Sequence, residues 1–166
     1  MSQLRSMYAP WIRLNDALAL AVSGLSPEQL ATQPSPSQWP LWATVGHLAC
    51  QRVFWLCDFA GEPGAESTRF TNAAYNCPGD DDLETVLGPD ELVEALYSTI
   101  AIVEHCLDTW SIGSLEETIS RPTFGPDWAM TRGVLLTRTH QHDAWHTAQV
   151  SQTLSANGWG RIDVWG

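Results

Sequence analysis

Apolar residues recur at three- and four-residue steps in four separate stretches of this chain, the period of an amphipathic helix. Leu4, Met7 or Tyr8, Trp11, Leu14, Leu18 and Val22 predict a helix over residues 4–22, which Pro10 bends or trims. A second begins near Trp39-Pro40 and runs to about Phe59, where Gly61-Glu62-Pro63-Gly64 ends it. The third opens at Pro89-Asp90-Glu91, with acids facing the positive end of the helix dipole. Its buried stripe is Leu92, Leu96, Ile100, Val103 and Leu107, and it ends near Trp110. Thr131 caps a fourth, which runs to about Ala156 and stops at Asn157-Gly158. Ser26-Pro27-Glu28-Gln29 reads as a short helix start with a capping box, and Gln33-Pro34-Ser35-Pro36-Ser37 as a loop.

With no strand series and no internal repeat, this pattern predicts one all-α domain over residues 1–166. Its form is a four-helix bundle with long interhelical connections, which leave room for a crossover topology. The longest connection, residues 65–88, carries the acidic run Asp80-Asp81-Asp82. A connection of that length is a candidate functional loop or partner surface, its acids reading as a solvated turn.

Composition narrows the function classes. Nineteen acids against eight bases give a net charge of −11, and all eight bases are arginines scattered singly from Arg5 to Arg161. Such a chain is repelled by phosphate backbones and anionic lipid, so nucleic-acid and membrane partners are not expected. The absence of lysine removes Schiff-base chemistry. No stretch approaches the ~20 apolar residues of a membrane span, and Arg13, Asn15 and Asp16 interrupt any leader-like apolar run. A soluble cytoplasmic protein is expected. In that compartment Cys50, Cys57, Cys77 and Cys106, which form no Cys-x-x-Cys pair, read as reduced and buried.

The chemistry lies in the histidines: His47, His105, His140, His142 and His146. His142 and His146 stand four residues apart, so at about 3.6 residues per turn both imidazoles share one helix face, a spacing that lets two histidines hold one divalent metal. Leu135, Thr139, Gln149, Val150 and Thr153 share that face, which makes it a core face, whereas His140 points almost opposite, toward solvent. His47 shares its face with Ala43, Gln51, Phe54 and Trp55. Two helices each bringing histidines inward is how a bundle builds a metal site in its core. His105 reads as a rim histidine. No inward carboxylate stands out as a base: Asp143 lies about 100° around the helix from His142, and Asp58 is too far along from His47.

These residues resemble the DinB-like superfamily of metal-binding four-helix bundles, which includes the YfiT-like proteins. The likeness rests on Trp39 followed by His47 in Trp-Pro-Leu-Trp-Ala-Thr-Val-Gly-His-Leu-Ala, on the late His142-x-x-x-His146, and on Gln149 three residues later. The resemblance implies that His47, His142 and His146 are the three protein ligands of one divalent metal, zinc or nickel, with water in the open positions. It also implies a homodimer and, for some members, transfer or isomerisation chemistry with a low-molecular-weight thiol such as bacillithiol or mycothiol. Where the family often has arginine and glycine after the second histidine, this chain has Thr147 and Ala148, so no cation stands there to meet an anionic group.

Three neutral imidazoles leave a divalent ion with its full charge and open positions, which suits a catalytic metal better than a structural one. The expected function is therefore a metal-dependent thiol transferase or hydrolase acting on a small molecule. The alternatives are a non-enzymatic, stress-associated metal-binding protein and a structural metal site in a homodimer. Gln51 and Gln149, each near a histidine on its own helix, are expected to orient ligands or a bound water. Trp39, Trp55 and Trp145, with Trp42, are expected to line an apolar pocket over the metal or to pack the core.

Overall fold

The computed structural model describes residues 2–163 apart from Tyr75 and Pro126. Trp165, in the short tail after the last helix, lies outside the described residues. The first predicted helix is divided at Tyr8 into α1 (Gln3–Met7) and α2 (Ala9–Ser23), with Pro10 in the first turn of α2, where its missing N–H costs nothing. The capping box predicted at Ser26 and Gln29 opens α3 (Pro27–Leu30). The long helices that follow are α4 (Leu41–Val53), α5 (Pro89–Thr109) and α6 (Arg132–Ala156), the last capped by Thr131 accepting from the Val134 N–H.

Packing among the four long helices runs in a ring: α2 on α5, α5 on α4, α4 on α6 and α6 on α2. Consecutive helices α2 and α4 therefore face each other diagonally, the crossover arrangement that the long connections allow. α4 is the most enclosed, with every residue from Leu41 to Cys50 buried. Leu48, Val53, Leu92, Leu96, Val103, Leu107, Leu135 and Leu136 fill the space between helices, each contributing about 1.5–3 kcal/mol by leaving water.

Three features depart from the sequence reading. Helix α4 continues as a π-helical segment, Phe54–Phe59. The connection before α6 holds a two-stranded antiparallel hairpin, β1 (Thr118–Ser120) with β2 (Ala129–Thr131), Ile119 opposite Met130. Each strand is three residues long, too short to imprint an alternating pattern. Finally, Cys50 and Cys77 are not separate thiols: they form a disulfide, because the long connection folds back onto α4. Cys57 and Cys106 are free and buried, as expected.

Candidate metal centre

Two helices supply the centre. His47 stands mid-way along α4, and His142 and His146 stand one turn apart on α6, which packs against it. Their Nε2 atoms converge: His47 to His142 at 3.0 Å and His142 to His146 at 3.1 Å, with the ligand atoms of all three within 4.8 Å of one another. His47 and His146 are buried, and His142 is half-buried.

The Nδ1 atoms fix the ring tautomers. His47 donates its Nδ1–H to the Pro78 carbonyl oxygen at 3.2 Å, with Asp80 Oδ2 a further 3.4 Å contact. His146 donates its Nδ1–H to Gln149 Oε1 at 2.8 Å. Both rings therefore turn an Nε2 lone pair to the centre. For His142, Nδ1 is buried with no hydrogen-bond partner among the described residues and lies 4.0 Å from Asp143 Oδ1, which likewise has none. With its proton on Nδ1, His142 would turn a third lone pair inward and complete the donor set. In that tautomer the three lone pairs face one point, where a cation would offset their mutual repulsion. Nitrogens each ~2.0–2.1 Å from one ion on a shared face sit about 3 Å apart, so the donor set fits a divalent metal.

Burial keeps the His47 and His146 imidazoles neutral. It pushes His47 from its ordinary 6.5 down to about 4, with Asp80 opposing the shift and His142 adding to it. Burial likewise lowers His146 to about 4, and repulsion from His142 and His47 adds to the effect.

The other predicted residues divide. Trp39 stands at the centre, its ring 4.8 Å from His47 and stacked 6.3 Å from His146. With Thr44, His146, Gln149, Val150 and Thr153 it lines a cavity of about 270 Å³ whose wall, among the described residues, carries no carboxylate and no guanidinium. Gln149 is thus both a partner of His146 and part of the cavity wall. Gln51 instead reaches the disulfide, its Nε2 lying 3.8 Å from Cys77 Sγ. Trp55 packs elsewhere, stacked on Trp128 beside Phe54 and Phe59 and covered by the Arg138 guanidinium. Trp145 is 66% exposed, because its neighbour His146 points about 100° away around the helix. Trp42 is in the core. His140 does not face solvent freely but packs on Tyr8 and Trp11. His105 is at the surface near Glu62.

Two parts of the surroundings were missed. One is a buried ion pair, Arg52 Nε to Asp143 Oδ2 at 2.7 Å, both groups 1% exposed. Trp11 Nε1–H donates to the same oxygen at 2.6 Å, and Arg52 Nη1 donates to Asn15 Oδ1, the Leu96 carbonyl and Thr99. The pair joins α4 to α6 beside the histidines. A signal for it was present: Arg52 is the lone fixed charge in the apolar stretch from Leu41 to Cys57, and a charge there needs a buried partner. The other is the long connection, which comes down on α4 beside His47. Gly46 lets it approach, since a Cβ there would stand 3.1 Å from Pro78, and Gly79, at φ +87°, lies flat against Trp39.

The chain is a helical bundle in which three histidines from two helices converge and could hold a metal ion. The chain belongs to the DinB superfamily, whose sequence profile matches residues 11–150. Among solved structures it is similar to a DinB-like protein from Bacillus cereus ATCC 10987, with 16% identity, 94% of this chain and 91% of that chain covered, and a TM-score of 0.65. It is also similar to a conserved protein from Enterococcus faecalis, with 16% identity, 92% and 95% coverage and a TM-score of 0.65. A search of curated proteins finds no match. No helix among the described residues is long and apolar enough to cross a membrane.

Proposed function

We propose that the protein binds one divalent metal, zinc or nickel, through His47, His142 and His146, and uses it to activate a low-molecular-weight thiol for transfer to a small electrophile. The carrying observation is the convergence of three Nε2 atoms, two of them held by Nδ1–H bonds to Pro78 and Gln149. When bound, the metal supplies Lewis acidity that holds a thiol as thiolate at neutral pH. The protein's part is to orient the rings, to keep them neutral, and to offer the uncharged cavity beside Trp39 and Gln149 to the substrate. Thiolate chemistry is favoured over hydrolysis because Asp143 is locked to Arg52 and cannot serve as a base, while Asp80 is 51% exposed.

The test is thiol-dependent consumption of a model electrophile such as an epoxide or a maleyl compound. Turnover that disappears with chelator and returns with zinc or nickel supports the reading. Metal binding without turnover across thiols supports the alternative of a non-enzymatic metal-binding protein. The proposal includes a cytoplasmic homodimer, supported by Leu20 and Trp145, large apolar side chains left exposed, and checked by light scattering.

A further inference from the structure

The connection between the π-helical segment and α5 ends its path over the metal centre in a short run with several separate ties to it. Cys77 is bonded to Cys50, one turn beyond His47 on α4. The next residue, Pro78, supplies the carbonyl that holds His47 Nδ1–H and packs against Gly46. Gly79 lies on the Trp39 ring, and Asp80 brings its carboxylate to His47. Beyond these contacts the tip is exposed from Leu83 to Val86, and its other bonds are local: Asp81 Oδ2 accepts from the Cys77 N–H, and the Gly79 N–H is donated to the Asp82 carbonyl. The disulfide is thus the covalent fastening between the ligand-bearing helix and the backbone that orients the ligand.

We propose that the Cys50–Cys77 disulfide is a redox-sensitive latch on the metal centre, holding the Pro78 carbonyl on His47 when oxidised and releasing it when reduced. The inference rests on the three-histidine metal reading. Reduction by a small dithiol breaks the Sγ–Sγ bond. Two electrons and two protons pass to the protein sulfurs, giving two thiols, and the dithiol leaves as its own disulfide. In a reducing compartment a persistent disulfide is not expected, and the ones that occur there are characteristically transient and redox-sensing. Both sulfurs are buried, so exchange requires the connection to lift, and once lifted and reduced the run has lost its covalent tie to α4 and keeps only non-covalent contacts. His47 then loses the partner that fixes its Nδ1–H tautomer, and loss of such a partner costs ~10–100-fold in metal affinity.

The test compares three samples: the oxidised protein, the same protein reduced with a phosphine and freed of reductant without air, and the Cys50→Ala/Cys77→Ala variant. Cobalt(II) and zinc affinities are measured by absorption and chelator competition. Histidine ring 15N–1H spectra report the His47 Nδ1 proton, and circular dichroism reports the fold. The expected result is retained helicity, a drop in metal affinity of about 10–100-fold in the reduced and variant proteins, and loss of the hydrogen-bonded His47 Nδ1 proton signal. Affinities within twofold across the three samples, with the signal unchanged, overturn the latch while leaving the metal reading intact. Absence of metal binding by the oxidised protein overturns both. If the double variant fails to fold, the reduced protein decides.

Discussion

The same two helices carry two polar sites side by side, and they are built on opposite principles. Arg52 on α4 meets Asp143 on α6 in a buried ion pair, where opposite charges and a set of neutral donors and acceptors satisfy nearly every group. His47 on α4 meets His142 and His146 on α6 in a cluster of like groups, each turning a lone pair to the others. The first is balanced in charge within the protein, with Asn15 Nδ2 and Asp143 Oδ1 its atoms without a hydrogen-bond partner among the described residues. The second could hold a cation between its three donors. Placing them next to each other lets the ion pair fix the relative position of α4 and α6, so that three imidazoles which repel can still be held about 3 Å apart. The seam between the sites is the unpartnered pair His142 Nδ1 and Asp143 Oδ1.

The contrast makes its largest prediction at the ion pair. Arg52→Ala leaves a carboxylate uncompensated in the core and is expected to destabilise the protein by about 3–5 kcal/mol, read by urea denaturation. A His142→Ala/His146→Ala variant is expected to keep most of its metal-free stability. If the two variants cost the same, the division of labour is wrong.

Removing the disulfide ranks next. Its ends are 27 residues apart, and closing such a loop is worth ~3–4 kcal/mol in the chain-entropy account, so Cys50→Ala/Cys77→Ala is expected to lower Tm at any metal concentration. Metal should act in the other direction. At a free concentration 100 times Kd, binding is expected to stabilise the wild type by ~2.7 kcal/mol and the double-histidine variant not at all, which differential scanning fluorimetry would show.

Acid sharpens the comparison without a substitution. His47 and His146 ionise at about 4 when folded and near the ordinary 6.5 when unfolded. Between those values the unfolded chain binds more protons, so the metal-free protein is at full strength from this source above pH 6.5. That contribution is lost as pH falls toward 4. The double variant with alanine at His142 and His146 should show a shallower loss across that window. The smallest effect belongs to Gly46→Ala. A gain in helix propensity of about 1 kcal/mol is set against crowding of Pro78 at 3.1 Å, so stability is expected to change little while metal affinity falls.

What was legible in the sequence follows from how local each signal is. The helices and their caps were readable because 3.6-residue periodicity and the capping residues act within one or two turns. The histidine triad was readable because His142 and His146 fix each other through helical spacing, and His47 lay on a face that had to be buried. The disulfide was not, because the pairing of Cys50 with Cys77, 27 residues apart, depends on how the chain beyond the π-helical segment folds back. Asp143 was set aside for pointing about 100° away from His142, which is the reason it can reach Arg52. Trp145 is exposed for the same angular reason, since adjacency in sequence to His146 places it on another face of α6. Trp55, eight residues past His47, sits beyond the switch to π-helix, where the turn angle of a regular helix no longer applies.

The most direct test of the central claim is the metal content of the purified, untagged protein by mass spectrometry, beside the His142→Ala/His146→Ala variant. The account predicts close to one transition-metal ion per wild-type chain and none in the variant, with both folded. A metal-free wild type that does not take up zinc or nickel when offered, or a variant that holds as much metal as the wild type, would contradict it.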